Sequence, residues 1–96
     1  MSSELVKFKI TGYSTWEDAA GKLFVSVNQF NDIPSSFGEA KYQVSVIVGA
    51  IGCENDSRNM NIGDVIKYNA GEYGTYEIRL LNADRISSSF YIVKIK

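Results

Sequence analysis

Apolar and polar residues alternate with a period of two along most of this chain. In LVKFKIT (Leu5–Thr11), Val6, Phe8 and Ile10 fall on one side and Lys7 and Lys9 on the other, the pattern of a half-buried strand with one wet face. LFVSVNQF sets Leu23, Val25 and Val27 against Phe24, Ser26, Asn28 and Phe30. KYQVSVIVG aligns Tyr42, Val44, Val46 and Val48 opposite Lys41, Gln43 and Ser45, and DVIKYN (Asp64–Asn69) is a shorter candidate. TYEIRLLN places Tyr76, Ile78 and Leu80 against Thr75, Glu77 and Arg79. SFYIVKIK is apolar on both faces from Phe90 to Val93, which predicts a central strand or one covered on both sides. NADR (Asn82–Arg85) reads as the turn joining the last two long strands into a hairpin.

Val and Ile far outnumber Leu, and Tyr and Phe join them. Cβ-branched and aromatic side chains suit a pleated surface and lose rotamer freedom in a helix. One stretch breaks the pattern. In STWEDAAG, Ser14 and Glu17 have capping-box spacing and Gly21 is placed to end a helix in the left-handed region. This predicts a short helical turn over residues 14–20, which must lean on the sheet to persist. The whole predicts an all-β fold of about six strands, an antiparallel β-sandwich or a small, partly open barrel, with residues 1–96 as a single domain.

Composition narrows the chemistry. The 96 residues contain no histidine and one cysteine. Without imidazole there is no Ser-His or Cys-His nucleophile, and a lone sulfur cannot build a Cys/His zinc site. Neither a GxxxxGK[ST] nor a GxGxxG phosphate loop occurs. We therefore expect no enzyme, no catalytic residue, no metal and no cofactor. A net charge of −1 with interleaved acids and bases leaves no linear nucleic-acid footprint, so nucleic acid is disfavoured as a partner. A basic patch assembled from alternating residues of several strands stays open. No apolar run approaches the roughly 20 residues of a membrane span. MSSELVKFKI lacks the features of a secretory signal, and the single cysteine suits a reducing compartment. We expect a cytoplasmic protein that engages no membrane.

Candidate binding residues fall in two long connections, Gly12–Lys22 and Gly49–Asp64. In the first, Tyr13 and Trp16 either anchor a partner or, for Trp16, seal the open end of a sheet. In the second, Glu54, Asp56 and Arg58 are candidates, and Asp64 closes the same segment. Its carboxylates could hold a hard cation, although Asp, Asn and Gly crowd ordinary loops for conformational reasons. Cys53, next to Glu54, reads as a packed thiol rather than a reactive one. Lys7-Phe8-Lys9 and Lys67-Tyr68 interleave cations with aromatics, as single-strand nucleic-acid platforms do. Neighbours along a strand face opposite ways, so a shared platform requires help from another strand.

The expected function is a non-enzymatic module acting through protein–protein contact, of the intracellular inhibitor or accessory-subunit type, with a second copy of the chain among the candidate partners. The alternatives are a single-stranded nucleic-acid-binding barrel and a cation- or saccharide-binding sandwich.

Overall fold

The computed structural model describes residues 5–33 and 41–96. Its strands are β1 (Leu5–Thr11), β2 (Thr15–Glu17), β3 (Leu23–Ile33), β4 (Lys41–Ala50), β5 (Asp56–Met60), β6 (Val65–Asn69), β7 (Thr75–Ala83) and β8 (Ser87–Lys94). They form two four-stranded sheets, one ordered β1-β8-β7-β6 and the other β2-β3-β4-β5. Every pairing is antiparallel. The fold is all-β, as the alternation predicts, and it is a sandwich rather than a closed barrel.

The connectivity explains why both architectures fit the sequence. Each strand neighbours the next in the chain, except that β1→β2 and β5→β6 step from one sheet to the other, while β8 returns beside β1. That is the cyclic order of an up-and-down barrel, split along two seams. One seam runs between β1 and β2, the other between β5 and β6.

The core lies between the sheets. Val25, Val27, Val44, Val46 and Val48 from one sheet meet Ile78, Leu80, Phe90 and Ile92 from the other, all buried. Each such side chain contributes on the order of 1.5–3 kcal/mol of transfer free energy. β8 is central in its sheet, in keeping with its two apolar faces. The β7–β8 hairpin turns where NADR predicts. Asp84 Oδ1 accepts from the backbone N–H of Ile86 at 2.9 Å and of Ser87 at 2.8 Å.

Two β-bulges shift the alternation. The register of β3 slips between Val27 and Gln29. The extra residue turns Phe30, assigned by strict alternation to the outer face, onto the core. A second slip between Leu80 and Asn82 in β7 leaves Leu81 exposed and brings Ala83 against the core.

Two expectations are corrected. No helical turn forms at residues 14–20: Thr15–Glu17 is a strand paired with Phe24–Ser26. Glu17, read as part of a capping box, ends β2, and Gly21, read as the end of a helix, instead belongs to the β2–β3 turn with Asp18. Asp18 Oδ1 accepts from the N–H of Lys22 at 2.7 Å and of Leu23 at 3.1 Å, and Gly21 adopts φ +69°. The one helical turn among the described residues is a 3-10 turn at Gly71–Tyr73. The polar segment Gly49–Asp64 is likewise no continuous loop, because Asp56–Met60 pairs with Val44–Val48 as β5.

Candidate functional site

The β1/β2 seam gathers aromatic side chains. Trp16 pairs opposite Val25 and therefore points inward. Its ring stacks on Phe8 with centroids 4.1 Å apart and planes 10° apart, and Phe8 stacks in turn on Phe90 at 5.3 Å. Where β2 ends, the seam opens into a cleft of about 240 Å³ lined chiefly by Val6, Trp16, Leu23, Tyr76 and Ile92, with Asp18 and Lys94 among its polar residues. Apolar walls with few polar groups are the usual makeup of a binding cleft. The Tyr76 hydroxyl donates to the carbonyl of Tyr73 at 3.2 Å. Burial, and then the negative charge of Asp18, raise its pKa above the ordinary phenol value. Tyr13 sits in the β1–β2 connection, 70% exposed, with its ring 5.7 Å from that of Phe30.

The β5/β6 seam is built differently. Asp56, Arg58 and Met60 pair opposite Val48, Val46 and Val44, so all three face inward. Met60 is buried, while Asp56 and Arg58 form an ion pair at 3.3 Å at the open edge. An exposed pair of this kind adds about 0–1 kcal/mol. The Tyr68 hydroxyl spans the seam and donates to the Glu54 carbonyl at 2.6 Å. Burial first, then the proximity of Cys53 and Asp56, raise its pKa. Cys53 is half-buried and packs against the core, as read from the sequence.

The five candidate residues do not converge. Trp16 lies on β2 and Asp56 and Arg58 on β5, opposite edges of one four-stranded sheet. Three strand spacings separate them, about 14 Å. Glu54 and Asp56 lie at the start of β5, while Asp64 lies past its far end, where it accepts from the Asn61 N–H at 2.9 Å. The expectation that Asp64 shares a site with Glu54 and Asp56 is thus corrected by the strand between them. Among the described residues, no three potential ligands gather as a metal site. The sequence reading missed Val6, Leu23, Tyr76 and Lys94, which line the cleft from several strands. Each looks like an ordinary strand residue until pairing brings them together.

The outer face of the β1-β8-β7-β6 sheet carries the across-strand arrangement that a cation–aromatic platform requires. Lys7 pairs opposite Tyr91, and Tyr91 opposite Arg79. The Arg79 guanidinium lies 5.8 Å from the Tyr91 ring centre. The Tyr91 hydroxyl donates to Glu77 Oε2 at 2.6 Å, which places an acid within the same patch.

The chain matches no protein-family model, no curated protein and no solved structure. Among the described residues, no helix is long and apolar enough to cross a membrane.

Proposed function

We propose that the protein is a non-enzymatic binding module that takes a protein partner at the β1/β2 seam. One observation carries the reading: the two seams are unequally guarded. Inward-pointing charges are a common device for protecting a sheet edge from further association. Asp56 and Arg58 supply them at β5. At the β1/β2 seam the inward positions are Val6, Phe8 and Trp16, with Val6 41% exposed. Aromatic anchors in such clefts commonly dominate interface energetics. In this reading Trp16 and Tyr13 belong to the interface, whereas Glu54, Asp56 and Arg58 protect the opposite edge. No catalytic residue or cofactor is required, and the cytoplasmic setting belongs to the same proposal.

Site-specific photocrosslinking tests it. A benzophenone side chain is placed at Ala19, at the mouth of the cleft, or at Asn59, on the exposed outer face of β5. In an extract of the source cells, the Ala19 probe should give a discrete protein adduct that the Asn59 probe does not. Val6→Glu should remove the adduct while circular dichroism shows the fold intact. Equal labelling from both positions would refute a seam-specific partner.

The Lys7–Tyr91–Arg79 row supports a second reading, single-stranded nucleic-acid binding on the outer sheet face. It requires retention on an oligonucleotide that weakens steeply with salt. Absence of retention at low salt ends it.

A further inference from the structure

β1 is an edge strand, and β2, across the seam, is an edge strand of the other sheet. β1 has seven residues and β2 only three. Trp16 stacks level with Phe8, and past Glu17 the chain leaves the seam through the Asp18–Lys22 turn. The first half of β1 therefore runs beyond the cover that β2 provides. Leu5 is 49% and Val6 41% exposed there. An uncovered edge presents unpaired N–H and C=O groups that template another strand.

We infer that the partner enters as an extended segment, adding a strand to the free edge of β1, with alternate apolar side chains in the Trp16 cleft and acidic side chains facing out. This rests on the protein-binding reading above and specifies the partner's chemistry. Residues directly opposite on paired strands share a face. Inward positions of an added strand would meet Val6 and fill the cleft of about 240 Å³. Outward positions would meet Leu5 and Lys7, both exposed. No acid of β8 stands opposite Lys7, since its partner there is Tyr91. Carboxylates complement that edge, and like charges directly opposite are destabilising.

The same rule disfavours a second copy of this chain pairing through β1. Antiparallel registers that keep apolar faces together over five or more residues of β1 set Lys7 or Lys9 against a lysine of the other copy. At β5 the inward Asp56–Arg58 pair would have to be desolvated by an added strand. Over Leu5–Lys7 the edge of β1, unpaired among the described residues, carries neither obstacle toward an acidic, alternating segment.

The test uses a capped hexapeptide of alternating valine and glutamate. Trp16, the sole tryptophan, reports binding by fluorescence, and amide hydrogen exchange of Leu5–Lys7 reports pairing. Binding should protect the β1 amides, and N-methylation of the peptide at the amides facing β1 should abolish it. A valine–lysine peptide should bind about tenfold more weakly, the equivalent of one to two cross-strand charge pairs. Lys7→Glu should reverse that preference. Absence of binding, binding indifferent to N-methylation, an unreversed preference, or displacement of the peptide by oligothymidylate would each overturn the inference. A seam-specific Ala19 crosslink surviving those outcomes would leave a partner that docks without adding a strand. Loss of the crosslink would remove the protein-binding reading itself.

Discussion

Gly49 offers the sharpest test of how the outer face of the β2-β3-β4-β5 sheet is packed. It lies on β4 directly opposite Phe24 of β3, and the aromatic ring covers it. A Cβ at position 49 would stand 2.5 Å from two ring carbons of Phe24 and would also collide with Asn55 Oδ1. The backbone at Gly49 does not require positive φ, so space, not conformation, demands glycine. In Gly49→Ala, overpacking costs about 1–3 kcal/mol. Replacing a strand glycine returns about 0.5–1 kcal/mol of chain entropy. The net expectation is a loss of about 1–2 kcal/mol, and each kcal/mol lowers Tm by about 4–8 °C in a domain of this size. In a Phe24→Ala background the ring is gone and exposed Asn55 can swing aside, so the same substitution should be neutral or gain about 0.5–1 kcal/mol. The assay is a double-mutant cycle in urea, followed by Trp16 fluorescence and far-ultraviolet circular dichroism. A coupling of about 2 kcal/mol is expected, well outside the 0.3–0.5 kcal/mol scatter of independent sites. Additivity within that scatter would refute the explanation.

Four further outcomes follow from particular contacts. The Ser88 hydroxyl is buried with no hydrogen-bond partner among the described residues, so Ser88→Ala should be neutral or raise stability by about 1 kcal/mol in urea denaturation. Backbone N–H groups of Ile86 and Ser87 lower the pKa of Asp84. Its contribution is therefore present above the ordinary carboxylate value and lost as pH falls through the depressed one; Asp84→Ala should flatten this acid limb in a stability–pH profile. Burial raises the pKa of Tyr68, so its contribution is complete below the ordinary phenol value and lost as pH rises through the raised one. Tyr68→Phe should cost about 1 kcal/mol at neutral pH through the lost bond to Glu54 and shrink the alkaline limb in the same profile. Trp16 is half-buried against Phe8; Trp16→Ala should cost about 2 kcal/mol, half of a fully buried aromatic, and Trp16→Phe should recover most of it by thermal melting.

Much of the fold was legible one strand at a time. Val6, Phe8 and Ile10, the valines of β3 and β4, and Tyr76, Ile78 and Leu80 declare their inward faces by alternation, because side chains of a strand point to opposite sides at every step. The missing histidine by itself excludes imidazole chemistry. What alternation cannot carry is who pairs with whom. TWE has too few residues to show a period, and the Gly21 that follows it serves a β-turn as well as a helix end. DSRNM hides its strand because Asp56 and Arg58 face inward at an open edge, where charge is tolerated. The bulges at Asn28 and Leu81 shift the side-chain phase through pairing with another strand, which moved Phe30 to the core. The Trp16 cleft likewise exists only after β1, β2, β3, β7 and β8 meet. Local spacing determined six of the eight described strands; long-range hydrogen-bond register decided β2, β5 and the seams, since those bonds join residues far apart in the chain.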